Sequence, residues 1–406
     1  MKKFKNILVS LFLIWSISFS LYARDSKDLL RNRIDSIISG IKCNLSILVM
    51  GAEKNDILYY FKPEEKMIPA SITKLITTAV ALNKLGVNYE FKTIFYTDDN
   101  DLSDGIINGN LYLKGYGDPD LTTSELLKLT HLVISKNIKK ITGNLVYDES
   151  YLDNMHYALA DKYSGDTKKN YWPYITALSI NKNKSSSDPA FECAQIVADE
   201  LKKNNVELGG IIIAGITPDA AKEICRLTRP IVNVITNMNK ISDNQSAITL
   251  FKVVGAVYKE PPGSLPYGSE AVIDFMSSIG IARDNYEILE GSGLTRYNYV
   301  NGYIFVHLLK YMYNQVNIFD MFYNSLPIGG VDGTLKDRMK NTEAEKNIHA
   351  KTGTLNNVST LAGYAVSRDN ELIIFYIAMN GFSGNAKVYR DKQDEICNAI
   401  CSFSRN

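Results

Sequence analysis

The sequence predicts an α+β fold in which strands from both ends of the chain build one antiparallel sheet and helices flank it. Three observations predict it. Alternating apolar runs stand near the start, at residues 45–50 and 57–61, and near the end, at 360–366 and 372–379. Segments with helical spacing lie between them. The chain then closes on a helical stripe of Tyr389, Ile396, Ile400 and Phe403. With 406 residues, 45% of them hydrophobic, it is long enough for one large domain carrying an insertion, or for two domains.

Taken in order, Lys2, Lys3 and Lys5 precede an apolar stretch at 7–19, and Ser18, Ser20 and Ala23 supply small residues. That is the layout of a secretory signal peptide over residues 1–23, with Ala23 as the preferred cleavage site. The stretch is shorter than the roughly 20 residues a bilayer span needs. No cysteine stands at the cleavage region, which argues against a lipoprotein, and no later segment is apolar enough to cross a membrane. An exported protein with no stable span after signal removal is therefore expected.

Residues 26–41 have helical spacing through Leu29, Leu30, Ile34, Ile37 and Ile38. After the strands at 45–50 and 57–61, Pro69-Ala70-Ser71 leads into a helix over 72–85. Pro69 sits where its missing N–H does no harm. The texture then changes, and residues 86–180 read as an inserted β-rich domain. Within it, 91–117 alternates between apolar runs and Asp/Gly turns, as strands in hairpins do. A helix over 121–136 and a strand over 141–148 follow. The acidic run 98–105 lacks calcium-loop spacing and a terminal Glu, so it reads as turn chemistry.

Residues 24–85 and 181–406 form the remaining domain. Within it, 189–203 is an amphipathic helix with Ala194, Val197, Ala198 and Leu201 on one side. Helices over 231–239 and 245–256 flank a polar turn, and Ser367-Arg368-Asp369-Asn370 joins the last two strands. The final helix, 386–403, lacks a basic polar face, so it packs on the sheet and not on a membrane.

Composition excludes some functions. A formal net charge of +1 with no long run of one sign gives nucleic acid no surface to hold. Cys43, Cys193, Cys225, Cys397 and Cys401 are odd in number and fit no zinc spacing. Four histidines make a multi-histidine metal site improbable.

Three short motifs carry chemistry. In Ser71-Ile72-Thr73-Lys74, residues three apart on a helix share a face, so Lys74 can bring its amine to the Ser71 hydroxyl. A serine hydroxyl needs a base to become a nucleophile. Lysine serves only where burial or a neighbouring cation lowers its pKa. In Ser242-Asp243-Asn244, a second hydroxyl could relay a proton and an asparagine amide could hold a substrate amide. In Lys351-Thr352-Gly353-Thr354, a strand edge can bind peptide through its main chain. There Gly353 permits close approach, and Lys351 and Thr354 suit a carboxylate.

Together and in this order, Ser-x-x-Lys, Ser-Asp-Asn and Lys-Thr-Gly resemble the signature of penicillin-binding proteins and serine β-lactamases. Further stretches widen the likeness: Gly115 to Leu121, Ala177 to Asn183, Met238 to Asn244, Gly291 to Arg296 and Lys351 to Leu355. The chain resembles the D-alanyl-D-alanine carboxypeptidase/endopeptidase family, the low-molecular-mass class C penicillin-binding proteins, over nearly its whole mature length. The resemblance implies a transpeptidase-like fold with a helical subdomain and a smaller inserted domain. It implies action on peptidoglycan stem peptides in the periplasm or another extracytoplasmic space, acylation by β-lactams, and no metal or organic cofactor.

The resemblance also implies roles. Ser71 would be acylated, with Lys74 as its base and Ser242 in proton relay. Asn244 would line the cleft, and Lys351, Thr352, Gly353 and Thr354 would bind substrate. The N–H groups of Ser71 and Thr354 would form the oxyanion hole. One departure stands out: after Asn183 the chain is expected to run almost directly to the helix before Ser242, without a second inserted domain.

Two other functions compete. A β-lactamase of the common class needs a deacylating glutamate in a Glu-x-x-Leu-Asn pattern, and none occurs between Lys74 and Lys351. A non-catalytic wall-binding protein would have no need of the complete motif set. Among other residues, His349 is a minor candidate, on the Lys351 side of its strand. His131, His156 and His307 offer no Ser-His-Asp triad. Tyr299-Val300-Asn301 is redundant with the Ser242 turn. Gly291 to Gly293 and Gly329-Gly330 read as turns, and Asp118 as a maker of turn hydrogen bonds.

Overall fold

The computed structural model describes residues 26–160, 164–184 and 187–405. The expected leader, residues 1–23, lies outside the described residues. Residues 26–38 form helix α1. Strands β1 (Asn44–Gly51) and β2 (Ile57–Phe61) follow, and a 3₁₀ turn, Ala70–Ile72, leads into α2 (Thr73–Lys84). Next come β3 (Glu90–Thr97), β4 (Ile106–Ile107), β5 (Leu111–Gly115), α3 (Thr123–Ile134), β6 (Lys140–Ile141) and β7 (Leu145–Asp148). Then follow α4 (Pro189–Lys203), β8 (Glu207–Leu208), β9 (Ile212–Ala214) and β10 (Lys222–Pro230). Helices α5 (Ile231–Ile241), α6 (Asn244–Tyr258), α7 (Leu265–Ser278), α8 (Gly302–Tyr313) and α9 (Val316–Ser325) precede β11 (Ile348–Leu355), β12 (Val358–Val366), β13 (Leu372–Asn380) and α10 (Ala386–Cys401). Among the described residues no helix is long and apolar enough to cross a membrane.

The chain divides into two compact units. The first holds the residues up to Ile72, Val300–Phe319 and Leu326 onward. Its sheet is antiparallel in the order β11-β12-β13-β1-β2, so strands from both ends of the chain do pair. Ile47, Val49, Leu361, Phe375 and Ile377 point to one face, where Leu30 and Ile34 of α1 and Ile396 and Ile400 of α10 cover them. On the other face Tyr376 stacks on Phe305 of α8 at 5.4 Å. Each buried side chain of this size contributes about 1.5–3 kcal/mol. In the turn between β12 and β13, Asn370 takes a left-handed φ of 58°, which its polar side chain tolerates.

The second unit comprises Thr73–Tyr299 and Asp320–Ser325. Helices α6 and α7 pack on α2, and α6 is buried from Gln245 to Ala256. A five-stranded sheet, β10-β3-β5-β7-β9, carries α3 and α4. β3 pairs antiparallel with β5 and β10, whereas β5, β7 and β9 run parallel. Parallel neighbours need long crossovers, which α3 and α4 supply.

This corrects three expectations. The insertion does not close at residue 180, because β10 at 222–230 completes its ladder against β3. The chain does not run almost directly from Asn183 to the helix before Ser242, since α4 and β8 to β10 intervene. The stretch 91–117 is not made of hairpins alone, because β4 leaves the β3–β5 pair to run parallel with β6 in a separate small sheet. The run 98–105 is turn chemistry: Asp99, Asp101 and Asp104 accept the N–H groups of Asp101, Ser103 and Ile106.

Candidate active site

In the first unit the chain arrives at Ser71 through a strained residue. Ala70 is fully buried and holds φ at 48°, a region non-glycine residues seldom occupy. The turn persists because its surroundings fix it. Thr360 on β12 donates its hydroxyl to the Pro69 carbonyl at 2.7 Å. Gly353 on β11 leaves room for the same turn. A Cβ there would lie 2.1 Å from Thr360 Oγ1, 2.7 Å from Pro69 O and 3.0 Å from Ser71 N. The expected close approach at Gly353 is therefore made by the serine's own turn. The motif glycine and the motif serine meet, on the edge strand of the sheet.

Alternation along β11 divides the other motif residues. Lys351 and Gly353 face the Ser71 turn, while Thr352 and Thr354 follow Ile348 and Ala350 onto the side covered by α10. Lys351 is fully buried and donates to the Thr352 carbonyl at 2.9 Å. Thr352 Oγ1 bonds Thr334 Oγ1 at 2.8 Å, and Thr354 is exposed. His349 shares the Lys351 side and forms a bridge to Ile328.

In the second unit Lys74 is the second residue of α2 and is fully buried. Its Nζ donates to Asn244 Oδ1 and to the Ser292 carbonyl, both at 2.7 Å. Burial pulls its pKa from 10.5 down to about 8, while the carboxylates of Glu290 and Asp243 hold it up against that pull. Thr77, one turn on, donates to the Gly291 carbonyl at 2.7 Å and pins the same loop.

Sequence reasoning missed Glu290. It is fully buried, and its carboxylate accepts Ser292 N and Ser292 Oγ at 2.6 Å each. Burial raises its pKa, and the Ser292 bonds and the Lys74 charge oppose the rise. The Gly291 to Gly293 stretch is a turn as expected. It is also a turn that wraps a carboxylate and aims a carbonyl at Lys74. The signal in the sequence was a lone Glu directly before Gly-Ser-Gly.

The Ser-Asp-Asn turn joins α5 to α6. Ser242 ends α5 with φ at 59°, left-handed, and is half-buried. Asp243 caps α6 by accepting Ser246 N. Asn244 is the first residue of α6, with its side chain on Lys74. Burial pushes the Asp243 carboxyl up, and Lys182 and Ser246 more than offset this, leaving it below the usual range. Lys182 Nζ lies 2.6 Å from Asp243 and also pairs with Asp120. Asn181, Lys182 and Asn183 all hold positive φ to deliver that ammonium. Asp118 accepts Asp120 N, as expected of a turn residue, and also pairs with Arg229 at 2.9 Å. Two stretches that carried the family resemblance thus brace the Ser-Asp-Asn turn.

Elsewhere, His131 pairs with Glu200, and His156 stacks on Tyr174. Asn301 caps α8 by accepting Ile304 N. All five cysteines are free thiols.

Comparison with known proteins places the chain in a family. The model of the D-Ala-D-Ala carboxypeptidase 3 (S13) family matches residues 30–188 and 184–400. The D-alanyl-D-alanine carboxypeptidase DacB of Haemophilus influenzae is 25% identical over 460 residues, covering 94% of each chain. A D-alanyl-D-alanine carboxypeptidase of Actinomadura is 24% identical, over 88% of this chain and 82% of its own. Among solved structures, penicillin binding protein 4 of Haemophilus influenzae superposes with a TM-score of 0.79 at 23% identity, over 91% of this chain and 99% of that one. A predatory peptidoglycan endopeptidase of Bdellovibrio bacteriovorus gives 0.59 at 18% identity, over 90% and 94%. These likenesses show a penicillin-binding, transpeptidase-like fold. With the family model matching most of its length, this chain belongs to the D-Ala-D-Ala carboxypeptidase 3 (S13) family.

Proposed function

We propose that the protein is a serine D-Ala-D-Ala carboxypeptidase, endopeptidase or both, acting on peptidoglycan stem peptides through an acyl-enzyme on Ser71 and open to acylation by β-lactams. The observation that carries this is Lys74. A fully buried lysine, three residues after the serine and with its pKa drawn down to about 8, is able to act as a base near neutral pH.

In this reading neutral Lys74 takes the Ser71 proton as Oγ attacks the carbonyl carbon of the penultimate D-alanine. The carbonyl oxygen gains the negative charge, and the N–H groups of Ser71 and Thr354 stabilise it. Collapse breaks the C–N bond. The leaving amine receives the proton held on Lys74, relayed through the Ser242 hydroxyl. Water then gives a proton to Lys74 along that route as it attacks the ester carbon. Collapse breaks the acyl C–O bond, and Lys74 returns the proton to the departing Ser71 Oγ. The product acid leaves and ionises to its carboxylate. Asn244 holds Lys74 and the substrate amide, while Lys351, Thr352 and Thr354 orient the terminal carboxylate. The family's substrate and the basic, apolar start of the chain support export to the cell-envelope space.

Incubation with a fluorescent penicillin, then with a D-Ala-D-Ala peptide, tests this. A stable label together with D-alanine release is expected. Ser71→Ala removes the label while the circular dichroism spectrum stays native. Persistent labelling of that variant overturns the choice of nucleophile. Rapid loss of label with drug turnover points to a β-lactamase, and absence of label to a non-catalytic wall-binding protein.

A further inference from the structure

The larger sheet of the second unit buries one face under α3 and α4. Phe95 on β3 points into that helix-covered core. Alternation therefore turns Lys92, Ile94 and Tyr96 to the opposite face, with Arg226 of β10 across from Ile94. A cavity of about 290 Å³ opens on that face, lined by Tyr89, Tyr96, Tyr116 and Tyr151, all half-buried. None of its lining residues belongs to the three motifs.

The tyrosines present both rings and hydroxyls. The Tyr116 and Tyr151 rings stand 5.1 Å apart and tilt by 58°. The Tyr96 and Tyr116 hydroxyls bond each other at 2.8 Å. Such a pair uses one O–H as donor and leaves the second free to meet a ligand. Burial raises the pKa of Tyr89, Tyr116 and Tyr151, so these hydroxyls stay donors across the physiological range.

Charge around the cavity is balanced. Arg226 is neutralised by Glu223. Glu90 accepts only a long bond from Thr228, at 3.3 Å. Among the described residues, the half-buried Lys92 has no ion pair or hydrogen bond on its ammonium. One carboxylate and one ammonium are thus left for a ligand, with no excess of cations to hold a polyanion. Apolar ring faces with a polar, near-neutral rim match a pyranose. The C–H groups on a sugar's face are slightly positive and settle on the negative face of an aromatic ring, while its hydroxyls lie at the edge. The volume stands at the lower end of the ~300–1,000 Å³ that small-molecule sites span, which suits one sugar ring.

We propose that this tyrosine-lined cavity binds a pyranose ring of an N-acetylated glycan strand, and so holds the protein on the polymer whose stem peptides it cleaves. The choice of occupant rests on the peptidoglycan reading, since the wall's strands are such glycans. The cavity takes no part in the acyl-enzyme chemistry.

Calorimetric titration of the full chain with chitotetraose, a neutral N-acetylglucosamine tetramer, tests this. Binding with a Kd of about 1 mM or tighter is expected. Tyr151→Ala should weaken it about tenfold by removing a stacking face. Tyr96→Phe and Lys92→Gln should each weaken it about threefold by removing one polar contact. Those two decide the matter if Tyr151→Ala folds poorly. Absence of binding, or an affinity that neither Tyr96→Phe nor Lys92→Gln changes, overturns the site. Decaproline, whose extended helix also suits tyrosine grooves, should not bind. If it binds in place of the sugar, the groove is for a proline-rich protein and the proposal falls. Penicillin labelling is read separately: its absence overturns the acyl-enzyme on Ser71, whereas lost glycan binding with labelling intact overturns only this site.

Discussion

At the scale of single residues, Lys74 is set by opposing forces. Burial disfavours its ammonium, and Glu290 and Asp243 favour it, with the balance at about 8. Only the neutral amine can accept the Ser71 proton. Penicillin acylation should therefore speed up as pH rises and level off above about 8. Glu290→Gln removes one of the charges that holds the lysine protonated, while leaving an oxygen to accept Ser292 N. The lysine's pKa then falls and the inflection moves to lower pH. Acylation at mildly acidic pH rises by roughly threefold for each half unit of displacement. Labelling rates across the pH range read this directly. An inflection that stays in place, or moves upward, would show that Glu290 shapes the loop without setting the charge on Lys74.

At the scale of elements, the contact between the Ser71 turn and β11 is the tightest constraint on the site. A methyl group at 353 has no room, because two of its three near neighbours are main-chain atoms that cannot swing away. Gly353→Ala should cost about 1–3 kcal/mol in denaturant unfolding and slow labelling together. Unchanged stability would mean that the turn is free to move. This meeting of Gly353 and Ser71 was only half legible in the sequence. The glycine's need for space was clear, but what fills the space depends on tertiary structure. Elements with strong periodicity, such as β1, β12, β13 and α4, were readable from alternation or an amphipathic stripe. β8 and β9 were not, being two or three residues long, and β10 carries Lys222, Glu223, Arg226 and Arg229 where an alternating apolar face would have announced a strand. Ser71 and Lys74 stood out as candidates because a helix puts residues three apart on one face, and Lys351 because its Lys-Thr-Gly motif completes the family resemblance. Glu290 was not, since a glutamate before a glycine turn looks like surface until the fold buries it.

At the scale of the whole molecule, the insertion illustrates how the ends of a segment reveal its independence. Its boundary at 180 was misplaced because the sequence shows a texture change there and hides the weak strand at 222–230. In the structure, Glu90 pairs with Pro230, and Ile231 N donates to Tyr89 O at 2.9 Å, so the segment leaves where it enters. Between those points it has a core of its own, from Phe95 and Leu113 in the sheet to Leu129 of α3 and Val197 of α4. Arg229 closes the base by pairing with Asp118 and Glu125. A segment with joined ends, a private core and the size of an ordinary domain should fold without the rest of the chain. Residues 88–231 produced alone should give a native-like circular dichroism spectrum and one cooperative thermal transition, yet take no penicillin label, since Ser71 and Lys351 lie outside the fragment. A fragment without a cooperative transition would mean that its stability comes from the surrounding helices, and that the insertion grew as an extension of them and not as a domain in its own right.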